Sequence, residues 1–366
     1  MISWQQRLAW SRQPGRLLLL VPAVLIAVIV VADIVAPADI VLGPLLVIAP
    51  AVTAWFAGPA TTAGVGAAAV AAQGFIGWRS GILLTRNVLV QMVALGVLSL
   101  LIVTFCVLRD RRARELAQVR SVAEAAQRVL LWPLPGRLGT LQLASVYLAA
   151  EEEAEIGGDL YAAARSRDST WLVIGDVRGK GLPAIGEAAL LLGAFREAVH
   201  HHDALPALAA SLEQSVGRYL ADFEPTAEAG ERFVTALLLE IPDVDSVARV
   251  TSCGHLAPLL LRPGRSVTLP ELAPAPPLGV GLTECGDVTV DVLSFAPGDT
   301  LLLYTDGVVE ARNRAGAFYP LAERVAHWAG QPPDTLLHHI HRDLLTHTGG
   351  RLGDDAALIA VHRRGT

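Results

Sequence analysis

Charge is scarce in this sequence. Asp, Glu, Lys and Arg account for only 17% of 366 residues, against 52% for the apolar set, and the mean hydropathy is +0.46. Such a composition excludes an ordinary soluble protein over the whole length, and a membrane portion is expected. The shortage is uneven: charges are nearly absent before Arg109 and recur every few residues after it. Basic charge is not in excess either. A net charge of −6 and a pI near 5.9 argue against nucleic acid as the main partner. Cysteine is rare as well. Cys106, Cys253 and Cys285 share no short spacing, which excludes a disulfide framework and a zinc site and suits a reducing cytoplasm for the soluble part.

What is abundant is apolar sequence in long runs. Four segments are long enough as helices to cross a hydrocarbon core of about 30 Å. They are Leu17 to Ala36, about Ile40 to Ala57, about Ala60 to Trp78, and a last one ending at Leu108. The third is rich in Gly and Ala, which insert weakly alone and would rely on close packing against neighbours. Arg7, Arg12 and Arg16 precede the first span, and Arg109, Arg111, Arg112 and Arg114 follow the last. The positive-inside bias then places both ends in the cytoplasm of a multi-pass plasma-membrane protein. The first run is too long for a cleaved signal peptide and lacks its small-residue site. Asp33, near the end of its span, reads as an interfacial residue.

Beyond Arg109 the pattern turns helical. Leu116, Val119, Ala123, Ala126 and Leu130 recur three and four apart, as heptad core positions do, over about two and a half heptads. Residues 109–132 are either a parallel dimer helix or one amphipathic helix lying on its own domain. "WPLPG", Trp132 to Gly136, ends the helix. The expected organisation is a cytoplasmic segment 1–16, a membrane region 17–108, a connector 109–137 and a soluble domain 138–366. No separate sensor domain fits between Leu108 and Leu138, so sensing would fall to the spans, the connector or a partner.

In the soluble part, "LQLASVYLAA", "STWLVIGDV", "RFVTALLLEI", "VARVTSC", "APLLLRP", "DTLLLYTDG" and "DDAALIAVH" read as strands. Leu182 to His202 with Ala204 to Phe223, and Pro320 to Gly330 with Pro333 to His347, read as two helix pairs. Strands joined by short turns, with helices arriving in pairs, predict an α+β domain of antiparallel sheets covered by helices.

The stretch "VIGDVRGKGLPA", Val173 to Ala184, poses the functional question. A nucleotide-binding phosphate loop needs four residues between its first glycine and the Gly-Lys, then Ser or Thr. Gly175 and Gly179 have three residues between them, and Lys180 is followed by Gly181, so that reading fails twice. What remains is Asp176 at the end of an apolar strand. Asp159 in "EIGGDLY", Asp306 closing "LLLYTDG" and Asp354 opening "DDAALIAV" repeat the arrangement, each with glycine within two residues. One such Asp is commonly a turn residue. Four of them point to an oxygen-rich site for magnesium or manganese.

At these residues the chain resembles the metal-dependent PPM-type (type-2C-like) serine/threonine phosphatases, in the bacterial branch related to SpoIIE. The matching stretches are "AEIGGDLY", "GDVRGKGLPA", "FVTALLLEI", "CGHLAPLL", "LLLYTDGVVEAR" and "GDDAALIAV", in family order over about Ala126 to Val361. The resemblance implies an αββα four-layer sandwich, here preceded by a four-helix transmembrane region, with two divalent ions, manganese or magnesium, at one end of paired sheets. Asp176 matches the carboxylate that bridges both ions, with the Val177 carbonyl joining it. Asp159, Asp306 and Asp354 match further metal carboxylates, and Asp176 and Asp306 are the residues on which turnover would depend. Asp355 follows where the family carries Asn or Asp, beside the ligand set. Two ions can activate a water for in-line attack at phosphorus, so no covalent nucleophile is needed. Eukaryotic members carry a histidine after the bridging aspartate. Arg178 and Lys180 stand in that stretch here, and Arg178 could hold phosphate as a fork. The helix pair after Gly181 resembles the regulatory switch element of this branch.

The implied substrate is a phosphorylated anti-anti-sigma-type protein. The alternative is a silent scaffold that keeps the fold to bind a partner, which a complete carboxylate set argues against. A transporter would need polar groups in its spans, and these carry almost none beyond Asp33. His200 to His202 suit the end of a helix, His338 to His341 a solvated face, and His255 a structural turn. "PELAPAPPLG" is a loop expected near the active site.

Overall fold

The computed structural model describes residues 18, 20–36, 42–150, 157–223, 232–264, 267–281 and 288–365. The chain divides into two compact units, Met1–Ala117 and Gln118–Thr366. The arginines before the first span and Cys285 lie outside the described residues, as do the side chains of Leu116, Val119, Ala123 and Ala126 on which the heptad pattern rests.

The first unit is helical. Helix α1 covers Leu20–Val35, a 3-10 turn covers Gly43–Val47, α2 covers Ile48–Phe56, α3 covers Pro59–Arg79 and α4 covers Arg86–Leu130, whose residues from Gln118 onward belong to the second unit. Among the described residues, two helices are long and apolar enough to cross a membrane, Pro59–Arg79 and the Arg86–Glu115 part of α4, against the four spans expected from composition. The expected second span is short. Its 3-10 turn begins with Gly43 and Pro44 and runs directly into the nine-residue α2. At 1.5 Å per residue such a helix falls well short of about 30 Å. The Gly- and Ala-rich α3 is one of the two long helices. It packs closely through its small residues: a Cβ on Gly66 would lie 3.0 Å from that of Ser99, and one on Gly77 3.0 Å from a Val88 methyl. Gln73 and Gln91 are joined by a 3.0 Å hydrogen bond, and Asp33 accepts the N–H of Leu42 at 2.8 Å.

The second unit mixes strands and helices. In chain order the elements are β1 (Arg137–Leu138), β2 (Leu141–Leu148), β3 (Leu160–Ser166), β4 (Ser169–Val177), α5 (Leu182–His201), α6 (Leu205–Phe223), β5 (Val234–Pro242), β6 (Val247–Cys253) and β7 (Leu259–Leu261). Then follow β8 (Pro274–Ala275), β9 (Asp291–Ser294), β10 (Thr300–Tyr304), α7 (Asp306–Val309), α8 (Leu321–Ala326), α9 (Pro333–Thr348) and β11 (Ala356–Arg363). One sheet has the order β1-β2-β11-β10-β7, antiparallel throughout. The other runs β3-β4-β5-β6-β8, with β9 also pairing β6.

Side chains alternate across a strand, and in the first sheet both faces are buried. Leu141, Leu143, Leu301, Leu303, Ile359 and Val361 face the core shared with the second sheet. Leu302, Leu358 and Ala360 face Leu336, Leu337, Ile340 and Leu344 of α9. On the second sheet the covering layer is α5 and α6, through Leu191, Leu192, Phe195, Leu208 and Leu212. Phe195 is fully buried, a side chain worth roughly 1.5–3 kcal/mol on transfer from water. Helices, sheet, sheet and helices therefore follow one another. Helix α9 opens with Pro333 and ends at Gly349 in the left-handed conformation, φ 73°, the asymmetry expected of helix ends.

Candidate functional site

One end of the two sheets opens into a cavity of about 480 Å³. Asp159, Asp176, Val177, Asp306 and Asp354, all singled out from sequence, line it, with Asp355 beside them. Four separate chain segments supply these groups. Asp159 precedes β3, Asp176 is the penultimate residue of β4, and Asp354 and Asp355 precede β11. Asp306 differs from expectation. The strand ends at Tyr304, and Asp306 begins the short helix α7 after an extended Thr305.

Two glycines allow the segments to meet. A Cβ on Gly158 would lie 2.5 Å from the Val177 carbonyl oxygen, so only glycine lets the Asp159 segment lie against the end of β4. The contact is closed by the Val177 N–H donating to the Gly158 carbonyl at 3.2 Å. A Cβ on Gly307 would overlap the carbonyl oxygen of Asp355. Thr305, fully buried, ties these pieces together: its hydroxyl donates to Asp159 Oδ2 at 2.7 Å and accepts the Ala357 N–H at 2.9 Å. Sequence reasoning does not find Thr305. Its only signal is its place next to Asp306 in "YTDG".

The carboxylates disturb one another. Burial first, then the charges of Asp306, Asp354 and Asp355, push the Asp176 carboxyl up to about 7, with Lys180 opposing. Burial and then the Asp176 charge raise Asp159 well above the usual carboxylate range. Burial, Glu310 and Asp354 raise Asp306. Lys180 Nζ lies 3.4 Å from Asp354 Oδ1. The Arg178 guanidinium sits 5.1 Å from the centre of the Phe233 ring, at the cavity wall. Among the described residues, no group of three or more His, Cys, Asp or Glu is gathered as a ready-made metal cage. The aspartates ring the cavity instead. Crowded anionic oxygens of this kind fit a hard divalent cation that keeps part of its water shell.

His255 is more than a turn residue. Its Nε2–H donates to the Tyr304 carbonyl at 3.2 Å, and its Nδ1 accepts the Thr235 hydroxyl at 3.1 Å. Thr235 belongs to one sheet and Tyr304 to the other, so the ring joins them at the site. Burial lowers its pKa to about 4. The loop "PELAPAPPLG" reaches the same wall: Leu278 exchanges both backbone bonds with Val234, and Pro277 packs on Gly254, which lines the cavity. The other histidines stay away from it. His201 pairs with Glu197, and His339 stacks on Trp328.

Comparison with known proteins matches this geometry to a family. A profile described as Stage II sporulation protein E (SpoIIE) covers residues 166–364. Protein IcfG of Synechocystis sp. is 26% identical over 260 residues, which are 63% of this chain and 39% of IcfG. The chain thus spans about two fifths of the length of that curated relative. The solved RsbU and RsbW domains of a Mycobacterium tuberculosis protein superpose with TM-score 0.50 at 26% identity, covering 61% of this chain and 60% of that one. The SiaA-PP2C domain of Pseudomonas aeruginosa gives TM-score 0.52 at 20% identity, covering 70% and 98%. The phosphatase domain of SpoIIE from Bacillus subtilis gives 0.50 at 15%, covering 62% and 65%. These last two share the fold. Since the profile spans more than half of the sequence, this chain belongs to the SpoIIE family, and its second unit is a PP2C-type serine/threonine phosphatase domain.

Proposed function

We propose that the chain is a membrane-anchored, metal-dependent protein phosphatase that hydrolyses phosphoserine or phosphothreonine on a regulator of anti-anti-sigma type. The observation that carries the reading is the set of aspartates from four chain segments around one cavity, each raising the proton affinity of the next. Asp159, Asp176, Asp306 and Asp354, with the Val177 carbonyl, would hold two manganese or magnesium ions. Once bound, such ions supply an activated water and offset the charge of the phosphoryl oxygens.

The remaining groups have roles of their own. Arg178, braced against Phe233, offers a positive fork at the wall where a phosphate would enter. Lys180 offsets part of the carboxylate charge. His255 has both ring nitrogens engaged and stays neutral, which suits it to bracing the wall and not to giving a proton to the leaving serine. Multi-pass anchoring through α3 and α4 puts this unit, with residues 109–137 as connector, on the cytoplasmic side, with dimerisation through 109–132. The RsbU and RsbW neighbour supports a setting among regulatory partner proteins.

Phosphate release by the full-length protein in detergent, from p-nitrophenyl phosphate and from a phosphoserine protein, tests the reading. Manganese-dependent turnover that disappears in Asp176→Asn and Asp306→Asn is expected. A folded wild type that neither binds manganese nor releases phosphate would put the scaffold reading first.

A further inference from the structure

The carboxylate beside the cavity is tied, through one tyrosine, to the end of helix α4. Asp355 is 4% exposed and follows Asp354 directly. Both its oxygens are engaged. Oδ1 takes the Ala150 N–H at 2.6 Å, and Oδ2 takes the Gly157 N–H at 2.6 Å together with the Tyr147 hydroxyl. Its own N–H donates to Asp354 Oδ1 at 2.9 Å. Gly157 stands two residues before Asp159. Asp355 is thus the clamp between the chain segments that carry Asp159 and Asp354.

Tyr147 lies on β2, opposite Ala357 of β11. Its hydroxyl oxygen accepts from Gln127 Nε2 at 2.5 Å. Gln127 is 5% exposed and sits one turn before the end of α4, where Leu130 and Leu131 pack into the core. A buried amide costs stability unless hydrogen-bonded, and Tyr147 is what this one meets. An apolar residue would seat the helix end as well, so the amide answers to its polar partner.

We propose that Tyr147 and Gln127 are positioning residues for the cation site, the tyrosine by fixing Asp355 between the Asp159 and Asp354 segments and the glutamine by fixing the tyrosine from the end of α4. The proposal rests on the reading of these aspartates as cation ligands. Groups that orient metal ligands commonly change metal affinity by 10–100-fold when removed.

The test is manganese binding to the full-length protein in detergent, followed by titration calorimetry with no substrate, beside the melting temperature in chelator. Tyr147→Phe keeps the ring and removes the donor, and it should weaken manganese binding about tenfold. Gln127→Leu should weaken it less, and the double variant no more than Tyr147→Phe alone. Thr251→Val is the control for a lost buried hydrogen bond elsewhere, that of Thr251 to the Thr289 carbonyl at 3.0 Å. It should lower the melting temperature and leave manganese affinity unchanged. Wild-type affinity in Tyr147→Phe would overturn the proposal, as would an equal loss in the Thr251 control. If the wild type itself binds no manganese, the ligand reading falls, and the proposal with it.

Discussion

Replacing His255 with glutamine should change how stability depends on pH, not merely its level. The ring joins Thr235 of one sheet to Tyr304 of the other, and burial lowers its pKa to about 4 from an ordinary 6.5. Above pH 6.5 the ring is neutral in the folded and unfolded chain alike. Between 6.5 and 4 the unfolded chain takes up a proton that the folded chain refuses, so stability falls as pH falls, and the loss levels below about 4. Each tenfold difference in proton affinity between the two states is worth about 1.4 kcal/mol. One edge of the ring faces the cavity and part of the effect is screened, leaving roughly 2 kcal/mol between pH 7 and 4.5. Glutamine can make similar bonds and does not titrate. The nearby aspartates also titrate in this window, but they are common to both proteins and drop out of the difference. Calorimetric melting of the full-length protein in chelator, at half-unit steps from pH 7.5 to 4.5, reads the effect. The wild type should lose its advantage over His255→Gln as pH falls, by about 4–8 °C for a domain of this size. A difference that stays constant across the range would refute a buried neutral histidine.

Gly307→Ala should cost about 3 kcal/mol or more, because its Cβ meets the fixed Asp355 carbonyl and not a flexible side chain; a melting temperature within about 2 °C of wild type would contradict this. Manganese at a hundredfold excess over its dissociation constant should stabilise the chelated protein by about 2.7 kcal/mol, read as a higher melting temperature, and should not do so in Asp176→Asn. Glu213, 8% exposed, accepts the Gly279 and Gly281 N–H groups with its two oxygens at 2.6 and 2.7 Å. Glu213→Gln turns one acceptor into a donor and should lower stability by about 2 kcal/mol, measurable as an earlier melt with manganese affinity intact.

The strands are legible in the sequence because both faces of the central sheets are buried, which leaves uninterrupted apolar runs such as those of β5 and β10. Strand β3 is not. "LYAAARS" is too rich in alanine to stand out, and its place is set by pairing with β4 across the turn at Arg167 and Asp168. The aspartates are legible one by one from strand ends and neighbouring glycines. Repeated four times, the arrangement also points to one shared site. What gathers them is not legible, since it is Thr305, Gly158 and Asp355, through contacts between segments far apart in the chain. Asp306 reads as a strand end because "LLLYTDG" runs on without a break. The turn into α7 depends on Thr305 spending its hydroxyl on Asp159 and its N–H on Ala357. In the first unit, apolar length is visible and helix length is not, with Gly43-Pro44 opening and Gly58-Pro59 following a helical stretch that composition alone would extend.

Lys180 is the only lysine among these 366 residues, where arginine supplies the other 28 basic groups counted with it. Any amine-directed reagent therefore finds one side chain, and that side chain stands 3.4 Å from Asp354 at the cavity. Reductive methylation with carbon-13 formaldehyde would place a single side-chain label there, its resonance following the charge on the neighbouring carboxylates as protons or cations come and go. The natural sequence thus carries its own spectroscopic reporter, with no cysteine to remove and no residue to introduce.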